Sequence, residues 1–171
     1  MRHASVRASL QPRSVRSVVR CSVDDLPEVK KSTGLAILRK DFRIDEYQIY
    51  ESKLIGADCI LLIASILSDQ QIEDFINVAQ QLELDYLIEV HDENELHRVE
   101  HFEDALIGIN NRNLKTFEVD LDNSVRLRNV FKQKNVFIAE SGIKSREDIN
   151  YLKLNNIKVF LIGESLMRGS F

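Results

Sequence analysis

Six short apolar runs recur along this chain, spaced by roughly twenty to thirty residues, as is typical of repeated strand–helix units. Each run ends in polar residues, and segments with helical signals separate the runs. Continuous apolar runs of this length are typical of strands that are buried on both faces of a parallel sheet. The alternation therefore predicts an α/β fold with right-handed crossovers. The runs are residues 35–38, 58–64, 84–90, 105–109, 135–139 and 157–162.

The segments between the runs carry recognisable helix starts and stops. Gly34 is expected to end a first helix that begins after Ser22, and Gly56 a second helix over residues 45–55. Apolar residues of the second helix have helical spacing, at Ile44, Tyr47, Tyr50 and Leu54. Ser145 followed by Asp148 is close to a capping box.

Such a sheet can remain open, as in a doubly wound fold, or close into a (β/α)8 barrel. No glycine-rich dinucleotide motif follows the first predicted strand, which weakens the open-sheet alternative. Polar residues stand at the carboxyl end of nearly every predicted strand, which is how a barrel builds its site. The prediction is a (β/α)8 TIM-barrel type truncated to about six strand–helix units.

Charge and hydropathy limit the classes of partner. The net charge of −4 gives no reason to expect nucleic-acid binding, and no apolar run approaches the ~20 residues of a membrane helix. Residues 1–20 hold five arginines, four serines and no acidic residue. This leader resembles an organelle transit peptide, with a disordered leader or an artefact of the gene model as alternatives. We therefore predict a leader at 1–20, a partial barrel domain at 21–171, and a cytoplasmic location, or an organellar one if the leader is a transit peptide.

Two strand ends carry a lysine and a carboxylate. Lys40 follows the first run, and Glu89 lies at the end of the third. An ammonium can act as an acid and a carboxylate in a partly apolar pocket as a base, and a barrel would direct both side chains into one mouth. The alternative is a structural salt bridge.

Three further strand exits carry groups suited to anions. Asn110, Asn111 and Arg112 follow the fourth run and could orient a carboxylate or hydroxyl, or form only a turn. Ser141-Gly142 and Gly163-Glu164-Ser165 follow the last two runs, where barrels frequently bind phosphate. Glu164 would then have to point its side chain outward and contribute its N–H.

Five motifs in this order resemble the indole-3-glycerol phosphate synthase family, over a span from about Ser22 to Met167. Each motif is modest alone, and the ordered set is specific. The motifs are Leu38-Arg39-Lys40-Asp41-Phe42 with Asp45-Glu46-Tyr47-Gln48-Ile49, then Ile88-Glu89-Val90, Gly108-Ile109-Asn110-Asn111-Arg112-Asn113-Leu114, Glu140-Ser141-Gly142-Ile143, and Ile162-Gly163-Glu164-Ser165-Leu166-Met167.

The resemblance implies a carboxy-lyase of tryptophan biosynthesis. The family closes and decarboxylates 1-(2-carboxyphenylamino)-1-deoxyribulose 5-phosphate to indole-3-glycerol phosphate, with no metal and no organic cofactor. Fusion to, or association with, other tryptophan-pathway enzymes is compatible with it. By resemblance, Lys40 is the general acid, Glu89 the general base, and Asn110 and Glu140 further catalytic groups. The substrate-binding residues implied are Phe42, Arg112, Ser141, Gly142, Gly163 and Glu164.

The chain also departs from the family pattern. The family's first strand carries a Glu-x-Lys pair and a Ser-Pro-Ser-rich loop, for which this sequence has the basic leader, and its last helix is cut short. We therefore expect weak activity and marginal folding of this chain alone. A catalytically impaired fragment that binds a phosphorylated ligand or a partner chain is the alternative. Other phosphate-binding barrels share the last two loops, but the Lys40–Glu89 pair and the Asn-Asn-Arg turn argue against them.

Overall fold

The computed structural model describes residues 26–114 and 116–169, which form two compact units. The first unit comprises the residues up to Leu61 with Glu73–Tyr86, and the second comprises Leu62–Ile72 with the residues from Leu87 onward. The predicted leader and the Ser22 cap lie outside the described residues. The elements are α1 (Leu26–Thr33), β1 (Leu38–Arg39), α2 (Tyr47–Leu54), β2 (Cys59–Ile63), α3 (Asp69–Gln81), β3 (Asp85–Val90), α4 (Glu93–Val99), β4 (Leu106–Asn110), α5 (Asp122–Val130), β5 (Phe137–Glu140), α6 (Arg146–Leu154), β6 (Val159–Leu161) and α7 (Glu164–Met167).

The strands form a six-stranded sheet in chain order, which confirms the α/β prediction with six parallel strands. Parallel pairing places Glu89 of β3 opposite Gly108 of β4. It also places Asn110 of β4 opposite Glu140 of β5, and Glu140 opposite Leu161 of β6. Because these strands are parallel, their carboxyl ends lie at one edge, where the polar residues of the second unit collect.

The core of the second unit lies between its strands and helices. Ile107 and Ile109 of β4 are fully buried. A cluster of buried residues joins β5 to α6 and β6, and consists of Ala139, Ile143, Leu152 and Ile157. The predicted capping box is present: Ser145 Oγ accepts a hydrogen bond from the Asp148 N–H, and the Asp148 carboxylate accepts one from the Ser145 N–H. This cap fixes the start of α6 beside the exit of β5.

The first strand is shorter and more exposed than its sequence predicts. Residues 35–38 form a continuous apolar run, but β1 comprises only Leu38 and Arg39. Ala36 is exposed and Leu38 is half-buried, so the prediction of burial on both faces is wrong for this strand. Among the described residues β1 pairs with β2 on one side, and no described strand covers its other side.

Helix α2 turns its apolar stripe away from the first unit. The exposed fractions along this stripe are 70% at Tyr47, 45% at Tyr50 and 87% at Leu54, and Ile44, just before the helix, is 66% exposed. The opposite face is buried through Ile49 and Ser52. Ser52 Oγ accepts hydrogen bonds from Arg39 and Arg43 at 3.0 and 3.2 Å, so this face packs on two guanidinium groups. The helical spacing of apolar residues predicts that they share one side of the helix, but it does not predict whether that side is buried.

Candidate active site

A buried carboxylate and an amide meet at the ends of β3 and β4. Glu89 is 3% exposed, and its Oε1 accepts a 2.8 Å hydrogen bond from Asn110 Nδ2. The amide oxygen of Asn110, Oδ1, accepts a 3.0 Å hydrogen bond from the Arg112 N–H. Both functions of the amide are therefore used, and the Glu89 carboxylate is tied to the loop that carries Arg112.

His91 joins this pair, although the sequence motifs did not single it out. Its Nε2 lies 3.4 Å from Glu89 Oε1, and its Nδ1 lies 3.1 Å from Glu95 Oε2. Burial of the imidazole lowers its pKa, but the contacts with Glu89 and Glu95 outweigh burial and raise the pKa of His91 to about 9. At neutral pH the ring is therefore a cation between two carboxylates. His91 lies between the end of β3 at Val90 and the start of α4 at Glu93, so neither strand nor helix spacing predicts these contacts.

Glu140 occupies the space beside Gly108. A Cβ atom at Gly108 would lie 2.0 Å from Glu140 Oε1, so a larger residue at this position would displace the Glu140 carboxylate. Glu140 ends β5 and is 1% exposed. Two buried carboxylates, Glu89 and Glu140, thus lie on strands that flank β4.

The two adjacent asparagines have different environments. Asn110 contacts Glu89, whereas the Asn111 side chain ties the strand end to helix α5 and the next loop. Asn111 Oδ1 accepts hydrogen bonds from the Ser124 hydroxyl and N–H at 2.7 and 3.1 Å, and its Nδ2 donates to the Ser141 carbonyl at 3.2 Å. Asn111 therefore holds the framework on which the neighbouring groups are mounted.

The loop after β5 requires a glycine. Ser141 and Gly142 both have positive φ, at 63° and 80°. A Cβ atom at Gly142 would lie 2.1 Å from Val119 Cγ1, so the available space excludes a side chain there and the positive φ disfavours one. The Ser165 hydroxyl donates a 2.7 Å hydrogen bond to the Ile143 carbonyl. This bond joins the loop after β5 to the loop after β6.

These two loops line a cavity of about 880 Å³ together with the loop after β4. Its lining includes three cationic side chains, Arg112, Lys144 and Arg168, and one anionic side chain, Glu164. The Glu164 carboxylate lies 3.5 Å from Arg112 and 3.1 Å from Arg168. The structure thus brings Arg112, Ser141, Gly142, Gly163 and Glu164 together around one cavity with a surplus of positive charge.

The remaining predicted site residues, Lys40 and Phe42, belong to the first unit. Lys40 directly follows β1 and is exposed, and Phe42 is 65% exposed. The prediction that Lys40 and Glu89 face one cavity stays a prediction, as do the roles assigned to the individual site residues.

Comparison with known proteins decides the family. The model of the indole-3-glycerol phosphate synthase family matches residues 16–170. The chain belongs to this family. An indole-3-glycerol phosphate synthase of Lachnoclostridium phytofermentans is 48% identical over 86% of the chain and 54% of the relative, and one of Ruminiclostridium cellulolyticum is 48% identical over 84% and 55%. The chain spans about half the length of the curated synthases it matches.

Solved structures show the same fold at low sequence identity. The 3-hexulose-6-phosphate synthase of Salmonella typhimurium superposes with a TM-score of 0.71 at 15% identity, over 85% of this chain and 72% of the other. At this identity the similarity concerns the fold alone. Within the described residues of this synthase-family chain, no helix has the length and hydropathy to cross a membrane.

Proposed function

We propose that the protein catalyses the reaction of its family, the conversion of 1-(2-carboxyphenylamino)-1-deoxyribulose 5-phosphate to indole-3-glycerol phosphate, carbon dioxide and water. The observation that carries the proposal is the Glu89–Asn110 pair, a buried carboxylate fixed at a strand end. It lies at the same edge of the sheet as the loops around the cationic cavity. A base and an anion site on one edge suit a phosphorylated substrate that must lose a proton.

Glu89 is the proposed general base. Burial alone disfavours an ionised carboxylate, whereas a hydrogen bond and a nearby cation favour it. Asn110 supplies one such hydrogen bond, and His91 supplies a nearby positive charge. The carboxylate is thus ready to accept the proton that leaves the ring carbon as the indole forms. In the same proposal Lys40 protonates the sugar carbonyl and the departing hydroxyl, and Asn110 and Glu140 assist at the site.

The cavity after β4, β5 and β6 is the proposed phosphate and substrate pocket. Arg112 can bind a phosphate or carboxylate with two parallel hydrogen bonds, and Lys144 and Arg168 add positive charge. The backbone at Ser141, Gly142 and Gly163 allows a close approach of an anion, and the Glu164 carboxylate stays with the arginines. Phe42 is proposed to contact the anthranilate ring.

Product formation by the protein expressed from the complete coding sequence around these residues tests the proposed function. The indole ring of indole-3-glycerol phosphate is fluorescent, so formation of the product can be followed continuously. We expect turnover, and we expect Glu89→Gln to abolish most of it. A wild-type protein that binds the substrate without forming product would support the impaired-fragment alternative instead.

Binding of inorganic phosphate to the protein expressed from the complete coding sequence around these residues tests the pocket without requiring turnover. A ligand that binds only the folded state, present at a concentration 100 times its Kd, stabilises that state by about 2.7 kcal/mol. Phosphate should therefore raise the melting temperature. Arg112→Gln should remove this increase. The matched control is Arg146→Gln, which removes the same charge from an exposed position on α6 outside the cavity lining. Equal loss in both variants would show that phosphate acts through general charge.

A further inference from the structure

Neighbouring side chains hold both the ring and the backbone of His91. Glu95 Oε2 accepts a 2.8 Å hydrogen bond from the His91 N–H and lies 3.1 Å from its Nδ1, so one carboxylate holds both backbone and ring. From α5, the Asn123 amide donates a 3.0 Å hydrogen bond to the His91 carbonyl. Arg126, which donates to the Asn123 Oδ1 at 2.7 Å, fixes that amide in turn.

The ring is thereby directed at Glu89. Its Nε2 is 3.4 Å from Glu89 Oε1, the same oxygen that accepts from Asn110. The side chain of His91 is 14% exposed and that of Glu95 is 15% exposed, so both lie largely out of solvent. A cation and a neutral amide therefore converge on one oxygen of a buried carboxylate, and the strength of such contacts rises as water is excluded.

A second histidine of the chain shows what an ordinary surface arrangement looks like. His97 on α4 also lies between two carboxylates, with its Nε2 3.8 Å from Glu93 and its Nδ1 3.3 Å from Glu100. Its side chain is 59% exposed, however, and both of its partners are exposed as well. Water screens these contacts, so His97 makes a matched control for His91.

We propose that His91 is a positioning residue for Glu89: held by Glu95, its imidazolium fixes the orientation of the Glu89 carboxylate and keeps it ionised for proton transfer. This inference rests on the proposed function, in which Glu89 is the base. The raised pKa of His91, about 9, agrees with a ring that stays charged near neutrality. His91 itself touches no reacting atom in this account, so its loss should impair the reaction less than the loss of Glu89.

An NMR titration of the histidine rings in the protein expressed from the complete coding sequence around these residues tests the coupling without enzymatic activity. In the wild type, His91 should titrate near pH 9. Glu89→Gln and Glu95→Gln should each lower the midpoint for His91 and leave that of His97 unchanged. A His91 midpoint that is the same in wild type and Glu89→Gln would overturn the proposal, whether or not the protein forms product.

Kinetics of three variants separate positioning from folding. His91→Leu removes both the charge and the hydrogen-bond donor, His91→Gln retains a donor, and His97→Leu is the control. A misplaced catalytic group costs up to about 10²-fold, so His91→Leu should lower kcat by about 10- to 100-fold with KM changed less than about threefold. His91→Gln should recover part of kcat, and His97→Leu should behave as wild type.

The pH profile supplies a readout that a merely structural role would not change. Without the neighbouring cation, the buried Glu89 carboxylate ionises at higher pH, so the acidic limb of kcat/KM should move upward in both His91 variants. An acidic limb that stays in place in His91→Leu would contradict the proposal. Failure of the proposed function gives a different result: if Glu89 is not the base, Glu89→Gln retains its turnover.

Discussion

The amide of Asn110 donates a 2.8 Å hydrogen bond to Oε1 of Glu89, and this bond couples the side chains at the ends of two neighbouring strands. Asn110→Ala would remove the donor and leave the buried carboxylate less well solvated. We expect a loss of about 1–3 kcal/mol in unfolding free energy and a fall in kcat. Chemical denaturation and steady-state kinetics measure the two effects. Asn150→Ala, at an exposed position on α6, is the control and should be close to wild type in both.

The loop after β5 should tolerate no side chain at Gly142. Gly142→Ala adds a Cβ atom at φ 80° and 2.1 Å from Val119 Cγ1, so we expect a loss of about 1–3 kcal/mol in unfolding free energy. Gly163→Ala is the matched control, because no atom lies within 4 Å of its added Cβ and its φ is −112°. Combining Gly142→Ala with Val119→Ala should recover the part of the lost unfolding free energy that is due to the clash with Val119. Equal stability of the two alanine variants in denaturant would contradict this view of the loop.

Strand order and the polar edge could be predicted from the sequence, because continuous apolar runs and the residues that follow them are local features. Strands β2 to β5 are buried as expected except at Asp85 and the half-buried Leu106, whereas β6 is only half-buried. The Ser145–Asp148 cap is present. The exposure of residues near β1 could not be predicted, since it depends on which strands lie beside it.

The motifs predict which residues form the candidate site. They do not predict the contacts among those residues. The sequence placed Glu89 and Asn110 at strand ends, but the hydrogen bond between them depends on the register of β3 against β4. The sequence does not predict the contacts of His91, because a histidine that follows a strand is commonly a loop residue. Asn111 looked equivalent to Asn110 in sequence, yet its side chain faces α5. Side-chain direction after the last strand residue is set by tertiary packing.

Stability should fall as the pH rises through the titration of His91. Its folded-state pKa, about 9, lies above the ordinary value of 6.5, because contacts with Glu89 and Glu95 outweigh burial. The stabilising contribution is therefore complete below about pH 6.5 and is lost as the pH passes 9. We expect a loss on the order of 1–3 kcal/mol in the free energy of unfolding over this window. Denaturant titrations of wild type and His91→Leu should diverge below pH 6.5 and converge above pH 9, and parallel curves would speak against it.

Lys40→Ala should lower kcat strongly if Lys40 is the general acid. General acid–base groups typically supply ~10²–10⁴-fold in rate, and the loss should fall mainly on kcat and not on KM. Lys53→Ala, which removes an exposed lysine from α2, is the control and should leave both constants unchanged. Turnover near the wild-type level in Lys40→Ala would remove this lysine from the mechanism.

The central claim is that Glu89 is the base of an indole-3-glycerol phosphate synthase. Its most direct measurement compares indole-3-glycerol phosphate formation by wild type and Glu89→Gln, each expressed from the complete coding sequence around these residues. Glutamine keeps the size of the side chain and an oxygen that can accept from Asn110. The account predicts a fall in kcat of ~10²–10⁴-fold with KM nearly unchanged. Wild-type turnover in Glu89→Gln, or no product from the wild type at substrate saturation, would contradict it.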